Sequence, residues 1–337
     1  MADNSRVWTH IDFNLDGKQA GNLHVPHSVD LSAYAMIQIP IVCIRNGEGP
    51  TALLTAGNHG DEYEGQIALR RLAQTLRPGD VRGRVIIVPS LNYPAVEAGR
   101  RASPVDEGNL NRLFPGRASG TVTEMIAHYV DSVLFALADV VIDLHSGGRS
   151  LDYAHTALAQ RVADTAQDGA LRRLLAAFGA PHSVLTTGSG GGGATTLYAA
   201  AAKRGIPALT TELGSGATLD PQGLAIAEQG VRRVLRDYGI APGLQCEPAP
   251  ATQLLTSLGP RHAIYAPCAG MMEPLAKVGE RVREGQAALR LHGLEDPLAP
   301  PLTLYFSADG IVSCRRFPTL CARGDGLFHL AAPLDEH

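Results

Sequence analysis

A chain of 337 residues with 45% hydrophobic content exceeds the usual single-domain size and can bury more than one sizeable core. Its 29 basic and 33 acidic residues leave a formal net charge of −4 with no basic stripe, which argues against a nucleic-acid partner and for small-molecule chemistry. No charged-then-apolar leader and no apolar span of about 18 residues is present, and five cysteines (Cys43, Cys246, Cys268, Cys314, Cys321) show no CxxC spacing; a reducing cytoplasm is expected, without membrane insertion, secretion or a disulfide framework.

The apolar run Thr51 to Ala56 reads as a buried strand, and Gly57-Asn58-His59-Gly60-Asp61-Glu62 follows it directly. His59 and Glu62 are three residues apart on one tight turn. An imidazole nitrogen and a carboxylate oxygen so placed can both reach one Zn²⁺ at roughly 2.0 to 2.2 Å, and a catalytic zinc needs a third protein ligand. The spacing alone is weak, so position at a strand end carries the argument. Asp61 and Glu64 flank the turn, and either would suit a substrate amine.

A patterned helix is expected over Gly65 to Leu76 and a second strand at Val85 to Val88. Arg100 and Arg101 then lead into Asn109-Leu110-Asn111-Arg112-Leu113-Phe114-Pro115-Gly116, a Gly- and Pro-containing stretch without periodicity that reads as an ordered loop. A guanidinium matches a carboxylate bidentately and the Asn111 amide adds a donor, so this loop suits the carboxylate of an amino acid. The plain alternative is a surface loop with solvated arginines.

After a helix at Val122 to Leu137, the run Asp139 to Leu144 ends in Asp143-Leu144-His145-Ser146-Gly147-Gly148. His145 thus leaves a strand end as His59 does. Asp143, two residues earlier, would share its face and either orient the imidazole or pair with an arginine. Ile206 to Thr211 is a further strand candidate and ends at Glu212-Leu213-Gly214. In an open α/β sheet the ligand crevice lies at the carboxyl ends of the strands, so these three runs converge on one place. The remaining histidines, His10, His24, His27, His128, His155, His182, His262, His292 and His329, lack that context and read as surface or satisfied core residues. Residues 187–194 hold five glycines but neither a P-loop Lys-Ser/Thr nor GxGxxG spacing, and are expected to form a mobile loop beside the pocket.

Residues 1–247 alternate apolar runs and helical stretches, which predicts a sheet with helices on both faces. Pro248-Ala249-Pro250-Ala251 reads as a linker, and residues 248–337 as a small all-β domain whose Gly turns resemble the half-barrel repeat of biotinyl and lipoyl carriers. A carrier needs an exposed Lys at a hairpin tip. The turn Ser307-Ala308-Asp309-Gly310 has none and Lys277 precedes the first turn, so a structural cap beside the site, or a homo-oligomer contact through its edges, is the expectation.

Taken in order, His59-x-x-Glu62, Asn109-Leu110-Asn111-Arg112, Asp143-Leu144-His145 and Thr211-Glu212-Leu213-Gly214 resemble the aspartoacylase and succinylglutamate desuccinylase family of zinc amidohydrolases. The resemblance implies a zinc carboxypeptidase-like fold, α/β with a mixed central sheet, and a barrel-sandwich-like C-terminal domain. It implies one Zn²⁺ per subunit on His59, Glu62 and His145, with Glu212 as general base. Asn111 and Arg112 would hold the substrate carboxylate, and Arg101 would polarise the scissile carbonyl, with Arg100 as the alternative. The segment from Gly57 to Gly65 and the C-terminal extension look most like a bacterial subgroup that deacetylates acetylated diaminobutyrate in ectoine breakdown.

Three functions remain open on the sequence. The first is zinc-dependent removal of a small acyl group from an N-acyl amino acid, a diaminobutyrate-like one by resemblance; the second is a carboxypeptidase-like peptidase. The third is a non-enzymatic metal- or ligand-binding protein. The same N and O ligands accept cobalt or manganese as well as zinc.

Overall fold

The structure, a computed structural model, describes residues 5–161, 165–186 and 193–334. The first ten strands are β1 (Trp8–Thr9), β2 (Gly17–Pro26), β3 (Met36–Asn46), β4 (Thr51–Ala56), β5 (Gly83–Val88), β6 (Val140–Leu144), β7 (Leu151–Tyr153), β8 (Thr156–Gln160), β9 (His182–Thr186) and β10 (Ala208–Glu212). The helices are α1 (Glu64–Thr75), α2 (Tyr93–Ala98), α3 (Val122–Tyr129), α4 (Thr165–Phe178), α5 (Leu197–Lys203) and α6 (Pro221–Asp237). Beyond α6 come β11 (Gln253–Ser257), β12 (Ile264–Tyr265), β13 (Gly270–Pro274), β14 (Arg281–Val282), β15 (Ala287–His292), β16 (Leu302–Tyr305), β17 (Gly310–Arg316), β18 (Leu320–Cys321) and β19 (Gly326–Pro333).

One mixed sheet runs β1-β2-β3-β5-β4-β6-β10-β8-β9-β11-β19-β17-β14. Its centre, β5-β4-β6-β10, is parallel, and parallel strands are buried on both faces, which is why β4 and β6 are apolar except at Thr51, Thr55 and Asp143. Alternate residues face opposite ways. Ala52, Leu54 and Ala56 of β4 with Val140, Ile142 and Leu144 of β6 pack beneath α1, α4 and α6. Leu53, Ile86, Val88 and Val141 pack on the other face with α3 and α5. Each fully buried Val, Leu or Ile among them contributes about 1.5–3 kcal/mol.

Helix ends follow local sequence. Thr121 and Glu124 form a capping box on α3, and Asp220 caps α6 by accepting from Gln222 N at 2.9 Å, with Pro221 at the first helical position. The helix expected over 122–137 continues past α3 as a π turn over Val130–Leu134 and a 3₁₀ turn over Phe135–Leu137.

The C-terminal strands do not stand apart from this sheet. β11 pairs in parallel with β9, and β19 and β17 continue the ladder. Val184, Leu255, Ile311 and Ala331 make a small core across that seam. A separate antiparallel sheet, β16-β15-β13-β18, closes the C-terminal core around Phe306 and Phe328. Among the described residues no helix is long and apolar enough to cross a membrane.

Candidate active site

Strand β4 delivers the first two groups. Gly57 leaves it at φ +69, a conformation that favours glycine, and the turn then presses on the β5–α2 segment: a Cβ on Gly60 would lie 1.9 Å from Ala95 O. Gly60 N donates to Arg100 O at 2.8 Å, fixing the turn against the arginine pair. His59 and Glu62 are consequently buried, with His59 Nδ1 2.7 Å from Glu62 Oε1.

Strand β6 delivers the third. His145 Nδ1 lies 2.7 Å from Glu62 Oε2, and Ser146 N donates to the same oxygen at 3.1 Å. The end of β10 pins His145, because Thr211 Oγ1 accepts from His145 N at 3.0 Å and Leu213 N donates to His145 O at 3.2 Å. Candidate ligand atoms of His59, Glu62 and His145 all lie within 4.8 Å of one another, and the two rings meet edge to face at 4.9 Å.

The donor set fits a divalent metal because each imidazole has its far nitrogen occupied by an acceptor. His145 Nε2 stands 2.9 Å from Asp143 Oδ2, and His59 Nε2 stands 3.1 Å from Asn109 Oδ1, an oxygen that also accepts from Asn111 N. With a proton on each Nε2, the two Nδ1 atoms beside Glu62 would be the ones to offer lone pairs to an ion shared with its carboxylate. Asp143 is itself held by Thr55 Oγ1 at 2.7 Å and Asn58 Nδ2 at 3.2 Å. Of the two readings of Asp143, the structure shows the imidazole partner.

The charges couple as this geometry requires. Burial alone would raise the Glu62 carboxyl, but the His59 and His145 imidazoles hold it well below the usual carboxylate range. Burial would lower His145, yet Asp143 and Glu62 outweigh it and raise it; His59 is lowered, chiefly by burial.

A cavity of about 410 Å³ opens on these groups, and His59, Arg101, Asn111, Arg112, His145 and Glu212 all line it. Arg101 Nη1 comes within 3.3 Å of His59 Nδ1 and 3.7 Å of Glu62, whereas Arg100 turns away to pair with Glu107 at 3.0 Å. The 109–112 loop is a 3₁₀ turn capped by Asn109 and anchored by buried Leu110. Asn111 Oδ1 accepts from Leu197 N at 2.9 Å, which ties the amide to the start of α5 and leaves Nδ2 near His145. Glu212, at the end of β10, has an Oε2 with no hydrogen-bond partner among the described residues, and burial pushes its carboxyl well up, with Glu62 adding to the rise.

Other expectations meet different outcomes. Glu64 does not face the cavity: it accepts from Ser146 Oγ and from Asp220 N at 2.8 Å, beneath the start of α6. Asp61 accepts from Arg149 N at 3.0 Å and lines a neighbouring cleft. Of the Gly-rich 187–194 segment, 187–192 lie outside the described residues and Gly193 lines the cavity. His329, read as a surface or core histidine, lines the cavity instead, and so do Tyr153, Tyr198, Ser313 and Cys314. These residues gave no local signal, since strand pairings far apart in sequence and, for Tyr198, the packing of α5 bring them here.

Residues 48–238 match the model of the succinylglutamate desuccinylase/aspartoacylase catalytic domain, and the chain belongs to that family. It is 41% identical to the N-alpha-acetyl-L-2,4-diaminobutyric acid deacetylase of Halomonas elongata, over 97% of this chain and 95% of that protein. Among solved structures, the succinylglutamate desuccinylase/aspartoacylase of Rhodobacter sphaeroides superposes with a TM-score of 0.92 at 38% identity, covering 98% of this chain and 100% of that one. The ectoine utilization protein EutE (DoeB) of Ruegeria pomeroyi, solved with product bound, gives 0.92 at 40% identity, covering 97% and 99%.

Proposed function

We propose that this chain is a zinc-dependent amidohydrolase that removes the acetyl group from an N-acetylated amino acid, N-alpha-acetyl-L-2,4-diaminobutyrate being the first candidate. The observation that carries the reading is the convergence of His59, Glu62 and His145 at a cavity that His59, His145 and Glu212 line together. The substrate named for the Halomonas elongata relative supplies the amino acid.

His59, Glu62 and His145 would hold a Zn²⁺, which when bound would supply Lewis acidity toward water and the scissile carbonyl. Arg112 and Asn111 hold the substrate carboxylate, and the Leu197 contact keeps the Asn111 amide in place to donate. Glu212 takes the proton of the attacking water and passes it to the departing amine, a shuttle suited to a buried carboxyl whose pKa is raised. Arg101 places its guanidinium against the oxyanion that develops at the carbonyl.

The test is acetate release from a panel of N-acetyl amino acids by zinc-loaded protein, with His59→Ala as the control. Release that disappears in the control supports the reading. No release from protein that demonstrably holds zinc refutes it.

A further inference from the structure

Part of the cavity wall comes from the C-terminal segment, and a single strand pairing sets it. β17 runs antiparallel to β7 with Cys314 directly opposite Tyr153, and a directly opposed pair projects both side chains to one face. The pairing is held along its length: Arg315 meets Asp152 at 2.9 Å, Ala154 N donates to Ser313 O at 3.0 Å and Phe317 N to Ser150 O at 2.9 Å. Tyr153 and Cys314 both line the cavity, side by side on that face.

A phenolic hydroxyl both donates and accepts, so the Tyr153 oxygen offers lone pairs to a donor in the cavity, whereas a thiol is a weak partner in either role. The wall is also uncharged. Burial, with Glu212 nearby, pushes the Cys314 thiol up to about 12, and burial raises the Tyr153 phenol well above its ordinary value. The cavity has two guanidinium groups, Arg101 and Arg112, and both are engaged in the reaction described above. No third Lys or Arg lines it among the described residues. With both guanidinium groups near Tyr153 already engaged, a second carboxylate on the substrate would find no further cation to replace its water.

We propose that Tyr153 and Cys314 select the amino-acid side chain of the substrate: the phenolic oxygen receives a hydrogen-bond donor at the side-chain end, and the wall rejects a side chain ending in a carboxylate. This rests on the deacylase reading and assigns its choice of amino acid to residues outside the metal site.

The experiment measures kcat/KM on the N-acetyl derivatives of 2,4-diaminobutyrate, of 2-aminobutyrate, which has the same carbon chain without the amine, and of aspartate. Wild type, Tyr153→Phe and Cys314→Ser are compared. Tyr153→Phe is expected to lose about 10- to 100-fold on the diamino substrate and to leave 2-aminobutyrate unchanged. Cys314→Ser, close in size and likewise uncharged, retains the wild-type ratio. Equal losses on both substrates, or an unchanged ratio in Tyr153→Phe, overturn the assignment. So does a wild type that prefers the aspartate derivative, a result that needs no variant to fold. A wild type that releases acetate from none of the three overturns the deacylase reading itself, a separate outcome.

Discussion

Asp143 Oδ2 accepts from His145 Nε2 at 2.9 Å, so β6 brings to the site both a candidate ligand and the group that orients it. Period-two geometry makes this possible, since residues two apart on a strand share a face. Asp143→Asn keeps the shape but turns a charged acceptor into an amide. Metal affinity is expected to fall about 10- to 100-fold. Competition with a chelator reads the change, and unchanged affinity would remove Asp143 from the site.

Glu212→Gln preserves volume and removes the proton carrier. Turnover should fall about 10²–10⁴-fold while metal content stays at the wild-type level, because the Glu212 carboxyl is not among the three grouped ligands. Metal analysis of the same preparation used for kinetics separates the two quantities. Loss of metal along with activity would make Glu212 a ligand instead.

The strand-end groups were legible in the sequence because each follows an apolar run long enough to announce a buried strand: His59 after β4, His145 after β6, Glu212 ending β10. Helices on both faces were legible for the same reason. Tyr153, Cys314 and His329 were not, because β17 pairs back to β7 and β19 joins β9 through β11, and no local periodicity encodes a register between distant segments. Asn109 stood in plain view within the quoted motif, but its contact with His59 depends on how the 3₁₀ turn sits against β4. Glu64 shows the converse: its proximity to Glu62 in sequence suggested a place in the pocket, and the start of α1 turned it toward α6.

Asp106 ties the segment before Asn109 to α3. It accepts from Thr123 N at 2.8 Å, Thr123 Oγ1 at 2.7 Å and Gly108 N at 3.1 Å. Burial alone would raise its carboxyl, but these donors lower it below the ordinary value. A lowered folded-state pKa contributes stability above the unfolded value, near pH 4, that is lost as pH falls through the lower folded value. Asp106→Ala should therefore cost about 1–3 kcal/mol at pH 7. The gap to wild type should narrow below about pH 4 in thermal unfolding; a gap independent of pH would assign the loss to packing alone.

The continuity of the sheet through β9 and β11 bears on what the C-terminal segment is for. A chain ended at residue 247 would leave β9 paired with β8 alone and expose it as an edge strand. It would also strip Ser257, Ser313, Cys314, His329 and Ala331 from the cavity. The shortened chain is expected to aggregate or to unfold without a cooperative transition, while the full chain unfolds in one step by calorimetry. A shortened chain that stays soluble, melts cooperatively and releases acetate with the full chain's substrate preference would show that the segment is a dispensable cover rather than a wall of the pocket.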